Sequence, residues 1–148
     1  MNIRIADSND AEALCNLYLY HLTDRTLADP QDMQAWRERI TQFFNDPSYR
    51  LLVGEVCGAV VSSVTLIVID NLTHNMRPYA LIENVVTHAA HRNRGYASGL
   101  LNHACGIAAE RRCYKVMLMT GSKRESTLRF YRANGFDGDA KTAFVKWL

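Results

Sequence analysis

The chain has 148 residues, of which 48% are hydrophobic and 22% charged, and its formal net charge at pH 7 is +2. This length predicts one domain spanning residues 1–148, large enough to bury a core without disulfides or metals. The small net charge argues against nucleic-acid binding, which needs a concentrated basic face. No stretch approaches the ~18 apolar residues of a membrane span, and residues 1–10 are too polar for a secretory signal. We therefore expect neither a nucleic acid nor a membrane as partner.

Four cysteines lie far apart in the sequence, at positions 15, 57, 105 and 113. They form no C-x-x-C pair and no zinc-ligand spacing with the five histidines. Disulfide scaffolds are typical of shorter chains that are richer in cysteine. The pattern predicts reduced thiols, no metal site and a cytoplasmic protein.

Apolar residues that recur every three or four positions indicate helices, and runs of β-branched residues indicate strands. In chain order, the predicted elements are a strand at 3–6, helices at about 11–22 and 31–44, strands at 51–56, 59–69 and 80–87, a helix of about a dozen residues after Gly95, a strand at 115–120, a helix at 126–133 and a strand at 143–148. Polar segments at 24–32 and 70–79 are predicted to be loops, and Cys57-Gly58 a hairpin turn. This order predicts an α+β fold, a mixed sheet of six or seven strands with helices on both faces.

The most informative segment joins the strand at 80–87 to the helix that follows Gly95. It is basic, with Arg92 and Arg94, and small residues follow the glycine. A helix N-terminus offers unpaired N–H groups and a partial positive charge, and glycine lets an anion approach the backbone closely. This arrangement suits a diphosphate, and an ordinary strand-to-helix turn with solvated arginines is the alternative. The segment has neither the P-loop motif nor G-x-G-x-x-G, which argues against a dinucleotide-binding module.

Two motifs around this segment resemble those of the GNAT acyltransferases. Arg92-x-x-Gly95-x-Ala97 matches the [QR]-x-x-G-x-[GA] signature of that family, and residues 130–136, FYRANGF, resemble its F-Y-x-x-x-G-F element. A helix and a strand separate the two motifs, as the family arranges them. The resemblance is close over residues 81–136 and follows the order of elements over the whole chain. It implies a GNAT-like fold with a splayed central pair of parallel strands at 81–87 and 115–120.

The resemblance also implies acetyl-CoA as co-substrate, bound in the V-shaped opening between the splayed strands. Backbone groups of the first strand would pair with the pantetheine arm as an added strand would, and the basic turn would hold the pyrophosphate. The positions that the resemblance implies for this binding are Val85, Val86, Thr87, Arg92, Asn93, Arg94, Gly95, Tyr96, Ala97, Ser98 and Ser126.

Tyr131 stands where the family has its general acid. Acyl transfer from a thioester to an amine expels a thiolate, and a phenol placed against the sulfur can protonate it. Glu83 lies among apolar residues of the strand at 80–87, where a carboxylate is costly unless it lines a cavity or is paired. Several family members keep a glutamate there, which implies that Glu83 is the base that deprotonates the amine. The alternatives are that Tyr131 only packs and that Glu83 faces solvent or pairs with Arg77.

Two positions depart from the family pattern. Met119 stands where many members have a glutamate, and Arg124 where many have an asparagine that contacts the cofactor. The resemblance as a whole implies an N-acetyltransferase acting on a primary amine of a small molecule or protein. A non-catalytic acyl-CoA-binding or interaction domain on the same fold is the alternative function, and an amino-sugar phosphate is the alternative acceptor. The apolar segment 143–148 leaves a homodimer contact through Trp147 open.

Overall fold

The computed structural model describes residues 1–23 and 30–148 of the chain. The strands in these ranges are β1 (Asn2–Ile5), β2 (Tyr49–Val56), β3 (Ala59–Ile69), β4 (Tyr79–Thr87) and β5 (Val116–Leu118). The longer helices are α1 (Ala11–Leu17), α2 (Met33–Asn45), α3 (Tyr96–Glu110) and α4 (Glu125–Ala133). Short helical turns lie at Ser8–Asp10, Tyr18–Leu22, Thr73–Met76 and Ala89–His91. Most of the loop predicted at 24–32 lies outside the described residues.

The strands form one mixed sheet in the order β1-β2-β3-β4-β5. Neighbouring strands are antiparallel except β4 and β5, which run parallel. Because side chains alternate between the two faces of a strand, Leu51 and Val53 pack with α1 and α2, whereas Leu52, Val64 and Ile82 pack with α3. This three-layer arrangement confirms the predicted α+β class with helices on both faces.

The β2–β3 hairpin turns through Cys57 and Gly58, as the sequence predicts. Both residues have left-handed backbone angles, with φ of 49° and 80°. Two consecutive left-handed residues make a turn whose twist matches that of paired strands. Gly58 adopts this angle without the penalty that a Cβ would bring.

The predicted strand at 143–148 is wrong. These residues form neither a helix nor a strand, and all of them are exposed. Their aromatic and β-branched side chains give the segment strand propensity, but a strand forms only where a neighbouring edge takes up its backbone hydrogen bonds. No strand of the sheet pairs with the segment, so the described sheet has five strands rather than six or seven.

The cysteines are all free in the structure. Cys15 is buried, Cys105 and Cys113 are half-buried, and Cys57 is exposed in its hairpin turn. Residues 1–23 and 30–148 contain no group of three or more His, Cys, Asp or Glu side chains that could hold a metal ion. No helix in those ranges is long and apolar enough to cross a membrane.

Arg4 and Asp10 connect β1 to the start of α1. Two guanidinium nitrogens of Arg4 donate to the Asp10 carboxylate at 2.7 and 2.8 Å, and the Asp7 backbone N–H donates to it at 2.9 Å. Arg4 Nε also donates to Glu55 on β2 at 3.0 Å. Burial by itself would raise the pKa of Asp10, but the hydrogen bonds from Arg4 and Asp7 and the charge of Arg4 together outweigh it and lower the pKa.

We expect Asp10→Asn to lower the free energy of unfolding at neutral pH by about 1.5–3 kcal/mol, because it removes hydrogen bonds to a buried carboxylate. The folded-state pKa of Asp10 is lowered, so its contribution is complete above the unfolded-state value of ~3.9 and is lost as the pH falls through the folded-state value. Urea unfolding at neutral and acidic pH measures the difference, which should shrink in acid. The control Glu12→Gln removes an exposed ion pair with Arg37 and should cost less than about 1 kcal/mol. An equal loss for Asp10→Asn at both pH values would contradict the expectation.

Candidate active site

β4 and β5 pair along only a short stretch of the sheet. Their parallel pairing runs only from Ala80 opposite Val116 to Ile82 opposite Leu118. β5 ends there, whereas β4 continues to Thr87. The β4 backbone groups that face β5 beyond Ile82 therefore have no partner among the described strands. Unpaired strand edges of this kind can bind an extended ligand through main-chain hydrogen bonds.

A β-bulge in β4 decides which side chains face the opening. Two β4 residues, Asn84 and Val85, lie opposite the single β3 residue Val64. Asn84 has a left-handed backbone, with φ of 55°, which asparagine tolerates better than most residues. The extra residue interrupts the alternation of the strand, so Val85 packs against the same core as Ile82, three residues earlier.

The open side of β4 beyond the end of β5 borders a groove of about 460 Å³. The end of β4, the turn before α3, the first turn of α3 and one side of α4 supply most of its walls. The predicted cofactor residues in this lining are Val85, Val86, Thr87, Arg92, Asn93, Gly95, Tyr96, Ala97, Ser98 and Ser126. Tyr131 lines the same groove, whereas Glu83 and Arg94 are outside its lining and Arg94 is exposed.

The turn before α3 has a backbone suited to anions. Asn93 and Gly95 are both left-handed, with φ of 59° and 77°. Left-handed residues in a turn direct neighbouring N–H groups to one side, which forms an anion-binding concavity. No side chain caps the N-terminus of α3, so its first N–H groups have no intrahelical partner and carry the partial positive charge of the helix. This part of the groove can therefore bind a diphosphate.

The end of α4 fixes the position of Tyr131. Gly135 has φ of 85°, and its N–H donates to the Arg132 carbonyl at 2.9 Å, while the Phe136 N–H donates to the Tyr131 carbonyl at 3.1 Å. This pair of bonds is a Schellman motif, whose left-handed position favours glycine. The Phe136 ring packs edge-on against the Tyr131 ring, with 6.3 Å between ring centres. The FYRANGF sequence is thus a helix-ending motif that holds the tyrosine in the groove wall.

The phenol of Tyr131 keeps its proton to a higher pH than an ordinary tyrosine. Burial raises the pKa of Tyr131, and the negative charge of Glu83 raises it further. The two side chains are therefore close enough to interact electrostatically. A protonated phenol in the groove wall can donate a proton to a group that develops negative charge.

Glu83 lies on the face of the sheet that α1 and α2 cover. Its cross-strand partner on β3 is Thr65, and directly opposed residues share a face. Thr65 lines a second, mostly apolar cavity of about 330 Å³, with Tyr18 and Trp36 in its wall. Among residues 1–23 and 30–148, Glu83 forms no ion pair, and Arg77 donates instead to two backbone carbonyls, those of residues 112 and 113. The carboxylate can therefore accept a proton without breaking an ion pair to a described residue.

Similarity to known proteins agrees with this geometry. Residues 16–136 match the model of the acetyltransferase (GNAT) family. The chain belongs to the GNAT acetyltransferase family. It is 28% identical over 143 residues to a glucosamine 6-phosphate N-acetyltransferase of Trypanosoma brucei brucei, a match that covers 92% of this chain and 88% of that protein.

Solved structures share the fold of this GNAT protein. A candidate acetyltransferase of Agrobacterium tumefaciens str. C58 superposes with a TM-score of 0.86 and 32% identity, over 99% of this chain and 100% of the other. Glucosamine-6-phosphate N-acetyltransferase of Arabidopsis thaliana superposes with a TM-score of 0.79, over 99% of this chain and 97% of the other. Its identity of 17% shows a common fold only.

The two departures of this GNAT protein from the family pattern, Met119 and Arg124, lie between β5 and α4. Met119 follows β5 and is 52% exposed. Because residues 116–119 are Val, Met, Leu and Met, this part of the chain contributes no carboxylate. Arg124 precedes α4 and lines the groove. A guanidinium in that place can form bidentate bonds with a phosphate and adds a positive charge that an asparagine amide lacks.

The sequence motifs did not predict the histidines of the groove. His21 and His91 line it, and the His88 ring centre lies 4.2 Å from that of His21 and 5.6 Å from that of His91. Arg92 donates to the backbone carbonyls of Thr87 and His21, each at 3.2 Å. Burial, followed by the charges of His88 and Arg92, lowers the pKa of His21. No local signal could have found His21, because 71 residues separate it from Arg92.

Proposed function

We propose that the protein is an acetyl-CoA-dependent N-acetyltransferase that acetylates a primary amine of a small molecule or protein by direct transfer. One observation carries the proposal: a single groove joins the unpaired edge of β4, the uncapped N-terminus of α3 and the phenol of Tyr131. The first two features suit an extended amide chain and a diphosphate, both of which are parts of coenzyme A. The third is an acid in the wall of the same groove.

The cofactor residues divide between two kinds of contact. Backbone groups of residues 85–87 would pair with the pantetheine arm, and the N–H groups of residues 93–98 would hold the pyrophosphate. Arg92 binds two backbone carbonyls, so it would hold the turn in shape as well as add positive charge. Arg124 and Ser126 line the groove on its α4 side and would contact phosphate and pantetheine. When bound, acetyl-CoA supplies the acetyl group as an activated thioester.

Two proton transfers accompany the reaction. An ammonium has no lone pair for attack, so the acceptor must first lose a proton, and the Glu83 carboxylate would take it directly or through a water. The departing sulfur needs a proton, and Tyr131 would donate it. Glu83 then ends protonated and Tyr131 ionised, and exchange with solvent restores both groups.

An amino-sugar phosphate is a second candidate for the acceptor, supported by the similarity to the trypanosomal glucosamine 6-phosphate N-acetyltransferase. Thiol release from acetyl-CoA tests both the acetyl transfer and the identity of the acceptor. The panel of amines includes glucosamine 6-phosphate, glucosamine, amino acids, polyamines and peptides. Release with glucosamine 6-phosphate but not with glucosamine would support the amino-sugar phosphate. Release with other amines alone would contradict that acceptor. Acetyl-CoA binding with no release for any amine would contradict the proposed reaction.

Gly95→Val is expected to abolish the stabilisation by acetyl-CoA while leaving the protein folded. The φ of 77° is costly for a β-branched residue, so the turn shifts and its N–H groups no longer converge. Nothing lies within 4 Å of an added Cβ, so the effect does not depend on a clash. For the natural chain, acetyl-CoA at about 100 times its dissociation constant should add about 2.7 kcal/mol of stability. Thermal melts with and without acetyl-CoA measure both results.

Gly58→Val is the matched control for that substitution. Gly58 also has a left-handed backbone, with φ of 80°, and open surroundings, but it lies in the β2–β3 turn outside the groove. This variant should lose intrinsic stability to a similar degree and keep the full shift with acetyl-CoA. A natural chain with no shift, or a full shift in Gly95→Val, would contradict the proposed cofactor site.

A further inference from the structure

The cavity of about 330 Å³ on the α1–α2 face of the sheet is separate from the groove. The two share no lining residue, and none of the residues assigned to the cofactor lines the cavity. α1, α2 and Tyr18 supply part of its wall, and three neighbouring strands supply one residue each, Leu51 from β2, Thr65 from β3 and Asn84 from β4. The cavity therefore spans the middle of the sheet beneath the helices.

The β4 bulge places this cavity beside the groove. Asn84 lines the cavity, and Val85, the other residue of the bulge, lines the groove. Glu83 precedes Asn84 in the chain and lies opposite Thr65, the residue that β3 contributes to the cavity. Glu83 also interacts electrostatically with Tyr131 in the groove wall. An amine held at Glu83 can therefore place its carbon body in the cavity and its nitrogen towards the groove.

Polarity changes from the floor of the cavity to its mouth. The floor consists of three buried aliphatic side chains, those of Leu14, Ile40 and Leu51. Arg39 and Asn84 also line the cavity but are exposed, so they lie at its mouth. A ligand with one polar end and an apolar body matches this distribution, with its polar end at the mouth beside Glu83.

The polar atoms of the aromatic walls are already engaged. Trp36 Nε1 donates to the side-chain oxygen of Gln31 at 3.4 Å, and the Tyr18 and Ser63 hydroxyls form a hydrogen bond of 3.3 Å. Within the part of the chain that the structure describes, no buried side-chain nitrogen or oxygen of the cavity lacks a hydrogen-bond partner. Sugar hydroxyls placed here would find few partners, and an unpaired buried hydroxyl is costly. The interior therefore favours an apolar ligand over a sugar.

Building on the proposed acetyl transfer, we propose that the acceptor is a primary amine carried by an apolar, ring-sized body that occupies this cavity. The volume is sufficient, since an apolar protein cavity of about 150 Å³ holds benzene. The ring centres of Tyr18 and Trp36 lie 6.0 Å apart with an angle of 61° between the rings, so an aromatic body can pack against one or both of them. The negative charge of Glu83 complements the ammonium at the mouth.

The chemical step is the one proposed for the enzyme, with this amine as nucleophile. Glu83 takes a proton from the ammonium, and the free nitrogen forms an amide bond to the acetyl carbon as the thioester C–S bond breaks. Tyr131 protonates the departing sulfur. The products are the N-acetylated amine and coenzyme A, and the apolar body of the amine takes no part in the bond changes.

Three amines test the acceptor class in the steady state. 2-Phenylethylamine carries a ring, ethylamine lacks it, and glucosamine carries a ring of similar size that bears hydroxyls. We expect kcat/KM for 2-phenylethylamine to exceed the other two values by at least about a hundredfold, because a single methylene in an apolar pocket already contributes about tenfold. Equal values for 2-phenylethylamine and ethylamine, or a preference for glucosamine or its 6-phosphate, would overturn the proposal.

Ala35→Phe tests whether the cavity holds the apolar body. Ala35 lines the cavity from an exposed position of α2, so a larger side chain narrows the cavity without disturbing the buried core. The KM for 2-phenylethylamine should rise by at least about tenfold, and the KM for ethylamine should change little. Gln42→Phe is the matched control, at an exposed position of α2 outside the lining, and should change neither value. An unchanged KM for 2-phenylethylamine in Ala35→Phe, or an equal rise in both variants, would contradict the assignment of the cavity.

The fluorescence of Trp36 reports binding without any transfer. The chain has two tryptophans, so Trp147→Phe leaves Trp36 as the only one. With coenzyme A in place of acetyl-CoA, 2-phenylethylamine should change the Trp36 emission in a saturable manner, and Ala35→Phe should weaken this binding by at least about tenfold. Saturable binding without transfer to any amine would support the ligand class of the cavity and contradict the proposed function alone. Transfer to other amines without binding of 2-phenylethylamine would overturn the acceptor class and leave the proposed function standing.

Discussion

Tyr131→Phe should lower turnover by about ten- to ten-thousand-fold while acetyl-CoA binding survives. The substitution removes only the phenolic hydroxyl and keeps the ring that packs against Phe130 and Phe136. The departing sulfur then has no proton donor, so the chemical step slows although the walls of the groove are unchanged. Steady-state kinetics with the best amine of the panel measures turnover, and the thermal shift with acetyl-CoA measures binding.

The pH profile adds a second readout for Tyr131. Burial and the charge of Glu83 raise the pKa of this phenol, so the acid stays protonated until the pH is strongly alkaline. Activity of the natural enzyme should fall as the pH rises through that pKa, and Tyr131→Phe should lack this fall. Tyr49→Phe is the control, because the Tyr49 ring stacks on Phe43 outside the groove and should leave activity near the natural level. Unchanged turnover in Tyr131→Phe would assign the residue to packing, and an equal loss of binding would assign it to the cofactor.

Short segments of sequence predicted the features that depend on local backbone geometry. A left-handed angle selects glycine within one turn of chain, so the end of α4 at Gly135, the hairpin at Gly58 and the start of α3 after Gly95 were all foreseeable. The lining of the groove follows from the same positions. Gly95 fixes which N–H groups face the opening, and Gly135 fixes the position of the Tyr131 ring in its wall.

Features that depend on distant parts of the chain were not foreseeable. The bulge at Asn84 exists because β4 must pair with β3 in a particular register, which the apolar run around it does not reveal. His21 reaches the groove only because the helical turn Tyr18–Leu22 packs against β4. The strand propensity of residues 143–148 was recognised, but whether a strand forms depends on an edge that accepts it, and propensity carries no information about that edge.

Glu83→Gln should lower turnover by about a hundred- to ten-thousand-fold at neutral pH. The loss should be smallest at high pH. Glutamine keeps the size of the side chain and removes the proton acceptor. Free amine becomes abundant at high pH without help from the protein, so the need for a base fades there. The charge of Glu83 is also one cause of the raised pKa of Tyr131, so the variant should lose activity at a lower alkaline pH than the natural enzyme. Turnover measured across neutral and alkaline pH, at saturating acetyl-CoA, records both effects.

Two further substitutions separate the base from a merely orienting role. Glu83→Asp keeps a carboxylate and should retain the natural shape of the pH profile at a lower rate. Glu110→Gln removes a carboxylate from the exposed end of α3, away from the groove, and should change neither the rate nor the profile. A Glu83→Gln enzyme with the natural pH profile would mean that the amine loses its proton elsewhere, to a water chain, a backbone carbonyl or His88. Glu83 would then only orient the acceptor on the α1–α2 face of the sheet, and its loss would raise KM without changing the shape of the profile.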